Sequence, residues 1–331
     1  MLEELKAYIR DNHLKVTSWV TDEYLLRFCR ARQFNSKKVI DMYQNTYNFR
    51  QEIGADRLCI DFEFPEEEKL MEVYQNNFFG VDKIGRPFYV DRIGTVRVER
   101  LLKIVSEESL WKAYSRMYEL IMKHKFLACS DLFDRNIHQT VNVFDIGGFS
   151  MAIWNRQSMT FLKKALQISL EHYPELLGKL FIINAPFIFT GVWAIVKSWL
   201  DEKTRKKIVM VGKDYLKYML EYVDEDQIPL YLGGTNQADF IDDFGPWNDY
   251  DLIDSDEPGA VVGVRRKGDP SGRVFTPADH IALENPALNG KGVLGCKGAV
   301  VRTGNGQYGP NPSPCLSTPI ENPEKYIDIP N

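Results

Sequence analysis

Residues 179–207 read KLFIINAPFIFTGVWAIVKSWLDEKTRKK. Residues 180–183 form an unbroken apolar run of strand length, and Asn184-Ala185-Pro186 breaks it. Phe187, Ile188, Phe189, Val192, Trp193, Ala194, Ile195, Val196, Trp199 and Leu200 follow. At helical spacing they cover nearly the whole circumference. The spacing therefore predicts a helix over 187–200 that is buried or faces lipid. It is too short to span a bilayer, which needs roughly 20 apolar residues. Lys203, Arg205, Lys206 and Lys207 come directly after it. An oily helix beside a basic patch describes a chain that meets lipid without crossing it.

The 180–183 strand sits in an alternating pattern. Strands are expected at 86–90, 140–146, 180–183 and 208–211. Helices are expected from a Ser106 cap to about Leu132, over 156–171 and over 214–223. That alternation argues for an α/β layer with a mostly parallel sheet. Pro65 and the three glutamates after it suit a helix start. Upstream, Thr21 or Asp22 caps one helix and Asn35 or Ser36 a second, which closes at Gly54. Residues 1–64 read as a small helical module and 65–245 as the main domain. Residues 246–331 form an extension, in which composition shifts. Twelve of 23 glycines and eleven of 16 prolines lie in 245–331. That density predicts an irregular extension, with 260–264 and 299–302 as its strand candidates. The aspartate-rich 239–257 stretch reads as a solvated loop.

Composition narrows the function classes. A net charge of −5 argues against general nucleic-acid binding. The five cysteines are scattered with no CxxC, which suits reduced thiols in a cytosolic protein. No signal peptide or transmembrane run is visible, and no zinc or EF-hand spacing occurs. Neither a metal nor a cofactor is expected. Cys129 and Arg135 have the spacing of a cysteine-phosphatase loop, but the intervening SDLFD has no glycine and continues a helix. Ser169 and His172 stand three apart, yet a histidine near a helix C-terminus is the plainer reading. There is no G-x-S-x-G elbow, P-loop or G-x-G-x-x-G. Tyr114, Met117, Tyr118, Ile121 and Met122 recur at helical spacing. With the 187–200 helix, they suggest one wall of an oily cavity.

Several segments together resemble the CRAL-TRIO family: LLRFCRARQFNSKKVIDMYQNTYNFRQEIG (25–54), GRPFYVDRIG (85–94), NVFDIGGFS (142–150), HYPELLGKLFIINAPFIF (172–189), WLDEKTRKKIVMVG (199–212), IPLYLGG (228–234) and GPW (245–247). Within it the chain most resembles the secretory phosphatidylinositol/phosphatidylcholine transfer proteins (Sec-fourteen-like), over about residues 5–250. The resemblance implies a CRAL-TRIO fold: the small helical module, a mostly parallel sheet flanked by helices around a lipid pocket, and the extension outside it. It implies a non-enzymatic carrier that is cytoplasmic, monomeric and transiently bound to Golgi or endosomal membranes. Its ligand would be phosphatidylinositol with a second lipid. The alternatives are a carrier of a sterol, neutral lipid or isoprenoid, and a lipid-active α/β hydrolase or phosphatase.

By the same resemblance, the inositol-lipid headgroup residues fall on Arg32, Glu175, Thr204 and Lys207. Arginine and lysine suit a phosphodiester, threonine can donate to it, and glutamate can accept from inositol hydroxyls. The choline-lipid residues fall on Phe78, Tyr89, Tyr118, Thr140 and Asn142. Phe78 stands in place of a tyrosine and Asn142 in place of a hydroxyl residue, so phosphatidylcholine is expected to bind less well than phosphatidylinositol. The acyl pocket and gate would use Tyr114, Ile121, Met122, Phe187, Phe189, Val192, Trp193, Val196 and Leu200.

Overall fold

The helix starts lie where short polar side chains can satisfy free backbone amides. The computed structural model describes residues 1–255 and 261–283, and the backbone of 300–302 and 308–310. Thr21 accepts from the Tyr24 amide at the start of Asp22–Ala31. Asn35 caps Ser36–Ile53, which ends on left-handed Gly54, and Ser106 caps Glu107–Leu120. That last helix runs through a π turn, Ile121–Lys125, into Phe126–Phe133. A wider turn rotates the apolar face, so Ile121, Phe126 and Leu127 all reach one core.

Five strands make the central sheet, in the order β1 (Asn76–Val81), β2 (Pro87–Asp91), β3 (Thr140–Asp145), β4 (Leu177–Ile183) and β5 (Ile208–Met210). β1 is antiparallel to β2, and the other neighbours are parallel. The β1–β2 turn needs Gly85 at φ +95°, where Asp82 accepts from the backbone amide and Nε of Arg86. One sheet face carries Phe88, Val90, Val141, Val143, Phe181 and Ile183 against Met219, Val223, Ile228 and Leu232. The other carries Phe78, Tyr89, Asn142, Phe144, Leu180 and Ile182. The outer edge of β1 is covered by the chain at 236–244. The Gly80 amide donates to Phe244 O at 2.6 Å, and Asn77 Nδ2 donates to Phe240 O.

The first three helices have their own core around Trp19, Phe28, Val39 and Tyr43. They are also locked to the sheet domain. Thr46 Oγ1 donates to Glu171 O at 2.9 Å, and Phe49 stacks on His172 with ring centroids 3.9 Å apart. Arg50 donates to both oxygens of the fully buried Glu119, at 2.6 and 3.2 Å, and also pairs with Asp56. The Tyr173 hydroxyl donates to Glu119 at 3.0 Å.

Residues 246–255 and 261–283 hold more regular structure than their glycine and proline suggest. β6 (Tyr250–Ile253), β7 (Gly263–Arg266) and β8 (Val274–Phe275) pair antiparallel, followed by the helix Pro277–Ala282. β7 overlaps the first strand candidate, and Val300–Arg302, paired with Tyr308–Pro310, meets the second. Trp247, Tyr250, Val264 and Phe275 join the main core, and Val262 joins the N-terminal one. Two aspartates of the expected solvated loop partner buried lysines instead. Asp254 accepts from Lys123 at 3.0 Å, and Asp243 from Lys125 at 2.7 and 2.6 Å. Enough apolar side chains in 246–283 reach the core to outweigh the cost of ordering the segment.

Candidate functional site: an oily sheet face and a lysine-rich rim

The two faces of the central strand β3 differ in burial. Val141 and Val143, on one face, are completely buried. Asn142 and Phe144, on the other, are half-buried although helices overlie them. Tyr114, Met117, Tyr118 and Met122 face the same core and are half-buried too. These side chains meet where this sheet face packs against the 107–125 helix, with Ile121 fully buried beside them.

The polar groups of this face mostly serve one another. The Tyr114 and Tyr118 hydroxyls are 3.0 Å apart, and Tyr118 stacks on Tyr173 at 4.7 Å. Tyr89 donates to Asn76 Oδ1, and Thr140 Oγ1 to Leu176 O. Phe78 meets the Tyr89 ring at 5.0 Å and lies under the Lys125 ammonium at 4.5 Å. The oxygen of Asn142 is buried without a partner. Asp91, next along the same face of β2, accepts from the Tyr74 hydroxyl at 2.8 Å. Burial pushes its carboxyl up to about 7, against the pull of Tyr74. Burial likewise raises the Tyr89 and Tyr118 phenols. Sequence spacing gave no sign of Asp91, because its exposure and partner depend on the fold.

The apolar helix expected over 187–200 is shorter, Phe189–Ser198. Phe189 and Val192 bury against Ile146, Leu180 and Ile182, with Trp193 and Val196 packed beside them. Leu200 is also buried. Phe187 lies outside the helix and is 91% exposed, so it points to solvent and not into the pocket. The turn before the helix holds Asn184 at φ +53°, its amide donating to Asp145 Oδ1 at 3.0 Å. A non-glycine residue held there is strained, which suits a hinge.

Beside this apolar helix is the rim that carries charge. Asp201 caps Glu202–Lys206: it accepts from the Thr204 amide at 2.9 Å and from its hydroxyl at 2.6 Å. Burial alone would raise the Asp201 carboxyl, but these bonds hold it below its ordinary value. Glu175 stands at φ +61°, and Arg27 donates to its carbonyl and to that of His138, at 3.2 Å each. The Glu175 Oε2 atom receives Lys203 at 2.9 Å and Lys207 at 3.4 Å. Lys207 also donates to Leu177 O at 2.8 Å.

Of the four headgroup residues expected, Glu175 and Lys207 touch and Thr204 lies one turn before Lys207. Arg32 is not joined to them. Its guanidinium donates to Ala31 O at 3.4 Å, its only hydrogen bond among the described residues. Arg27 and Lys203 belong to this cluster beyond the four expected residues. Lys203 lay inside the basic run already noted, whereas Arg27 has no sequence signal separating it from its arginine neighbours.

Two nucleophile candidates dissolve. Cys129 is buried in the core, and that burial pushes its thiol up. Ser169 donates to Leu166 O, while His172 Nδ1 lies 3.2 Å from Thr46 Oγ1. Burial against Phe49 lowers the imidazole of His172 to about 4, so it sits neutral at the helix end, not cationic. Among the described residues, no group of three or more His, Cys, Asp or Glu could hold a metal, and no helix is long and apolar enough to cross a membrane.

A helical module clasped to a mostly parallel sheet, with an apolar helix lying on the sheet's half-exposed face, defines a CRAL-TRIO protein, and the chain belongs to that family. The CRAL/TRIO domain matches residues 72–234, and the CRAL/TRIO N-terminal domain residues 1–45. The chain is 35% identical over 234 residues to the phosphatidylinositol/phosphatidylcholine transfer protein SFH7 of Arabidopsis thaliana, covering 69% of this chain and 43% of that protein. It is 32% identical over 253 residues to the SEC14 cytosolic factor of Yarrowia lipolytica, covering 76% and 51%. Against the Sec14 cytosolic factor of Schizosaccharomyces pombe it is 32% identical over 240 residues, covering 71% and 83%. It thus spans about half the length of the first two relatives.

Proposed function

We propose that this chain is a non-enzymatic carrier that lifts an inositol phospholipid out of a membrane and exchanges it there for a second lipid. The observation that carries the reading is Glu175 bridging Lys203 and Lys207 beside an apolar lid. The two ammonium groups on Glu175 mark where a headgroup phosphate would sit. A phosphodiester can take over Lys207 and the Thr204 hydroxyl, freeing Glu175 to accept from inositol hydroxyls. Arg32, at the end of Asp22–Ala31, is assigned to the headgroup as an approaching cation.

The lid follows from energetics. A two-chain lipid exposes some thirty methylenes on leaving a bilayer, at about 0.8 kcal/mol each, hence on the order of 20 kcal/mol or more. Only a closed apolar cavity offsets that. The lid therefore opens at the membrane, about hinges at Asn184 and Asp201, and closes over the cargo. Exposed Phe187 leads into the bilayer.

The second ligand would lie against Tyr89, Tyr118 and Asn142. The Phe78 ring is already under Lys125, which supports weaker binding of phosphatidylcholine and leaves room for another hydrophobic ligand. Contact with membranes would be peripheral, on Golgi or endosomal surfaces, and the working species a monomer. A hydrolase would need an activated nucleophile, and Cys129 and Ser169 do not supply one.

Mass spectrometry of lipid co-purified with the native protein tests the carrier reading directly: no extractable lipid would sink it. Labelled phosphatidylinositol should move between liposomes. Normal transfer by an Arg32→Ala/Lys207→Ala double variant would overturn the headgroup assignment.

A further inference from the structure

The rim holds more positive charge than a phosphodiester can use. Four cations lie in residues 203–207: Lys203, Arg205, Lys206 and Lys207. The nearby acids are largely committed. Asp201 is tied to the Thr204 amide and hydroxyl as a helix cap, and Glu202 pairs with Lys206 at 3.1 Å. Among the described residues, Glu175 is the carboxylate that both ammonium groups share, each on its Oε2 atom. The two lysines differ in setting. The Lys207 side chain is 9% exposed and also donates to Leu177 O, whereas that of Lys203 is 42% exposed and faces the rim.

Seating an unphosphorylated inositol lipid disturbs this balance. The single phosphodiester charge takes Lys207, and Glu175 turns to the ring hydroxyls. Lys203 then loses its carboxylate and gains nothing in return. A phosphate monoester on the ring reverses that. It carries about −1.5 to −2 charges and three strong acceptor oxygens, and an exposed ammonium at the rim suits a group projecting from the pocket mouth.

We propose that this site takes an inositol ring bearing a phosphate monoester, with Lys203 as the residue that selects it over the unphosphorylated ring. The proposal rests on the headgroup reading above and adds to it the class of lipid. It concerns a charged group that either a membrane phosphoinositide or a soluble inositol phosphate can present.

The test uses the full chain and phosphatidylcholine vesicles carrying either phosphatidylinositol or a phosphatidylinositol monophosphate, with lipid uptake read after separation from the vesicles. Lys203→Gln should lower the ratio of monophosphate to phosphatidylinositol uptake roughly tenfold, the scale of one charge-assisted hydrogen bond. Lys203→Arg should restore most of it. A ratio unmoved by Lys203→Gln, or a native protein that takes up phosphatidylinositol but no monophosphate and is not displaced by soluble inositol phosphates, overturns the inference and leaves the headgroup reading standing. Uptake of neither lipid overturns both. In a parallel arm, soluble inositol phosphates compete against the vesicles. Displacement with no monophosphate lipid extracted assigns the same chemistry to the soluble source. Extraction that persists through the competition assigns it to the lipid.

Discussion

Replacing Glu119 by glutamine changes one oxygen into an amide and leaves the shape intact. Glu119 is wholly buried and accepts from Arg50 twice and from the Tyr173 hydroxyl, with Lys123 Nζ 3.7 Å away. A glutamine offers one acceptor where the guanidinium presents two donors, and its NH₂ would face one of them. Arg50 would then keep Asp56, and Lys123 would keep Asp254, with no shared anion between them. Breaking a buried pair from one side costs about 3–5 kcal/mol. At the scale of a chain this long, that lowers the thermal midpoint by about 4–7 °C. The deficit should reach the ligand as well, because Tyr173 stacks on Tyr118 and stands two residues before Glu175. The assay is calorimetry on Glu119→Gln together with vesicle transfer. The Arg50→Met/Glu119→Leu pair should recover much of the lost stability, since replacing both partners removes the stranded charge. A Glu119→Gln midpoint within about 1 °C of the native protein would refute the argument.

Gly234→Ala places a β-carbon against the Ile228 carbonyl, so the backbone must move. A loss of at least about 2 kcal/mol in denaturant midpoint experiments is expected. Phe187→Asp should weaken vesicle association roughly tenfold or more, the scale of one buried aromatic side chain, while the thermal midpoint barely moves. Burial lowers the imidazoles of His124, His138 and His172 to about 4 each. The unfolded chain therefore binds more protons between about 6.5 and 4, and stability should be full above that window and fall as pH drops through it. His172→Gln should flatten the slope of unfolding free energy against pH.

Much of the frame could be read before any coordinates. The caps at Thr21, Asn35 and Ser106 are local chemistry, as is the close at Gly54, and all lie within a residue of expectation. The four parallel strands announce themselves by their apolar residues, because one face is closed and helices overlie the other. β1 escaped because it opens on two asparagines, and Asn77 acts through a bond to Phe240, far along the chain. The helix expected over 214–223 shrinks to Tyr215–Met219, where a short run still buries Met219 against the sheet. Glu175 and Lys207 were legible by resemblance alone. The partnership of Lys203 with Glu175, and of Arg27 with the Glu175 carbonyl, joins residues 28 and 148 positions apart, which no periodicity records. The strands and helix of residues 250–253 and 263–282 were hidden for a related reason. Their apolar residues are too sparse to form a period, and each finds its neighbours elsewhere in the fold.

The seating of Val262 in the N-terminal core has a consequence for how the chain comes into being. Domains fold largely in the order in which they leave the ribosome. Here the helices of residues 2–53 await three later arrivals: Glu119 for Arg50, His172 for Phe49, and Val262 to join the core with Trp19 and Tyr43. Until more than 200 further residues have been made, the leading segment holds helices without a finished interior. The nascent chain therefore presents unfinished apolar surface until residue 262 has emerged, and the last of that surface is sealed from outside the segment that bears it.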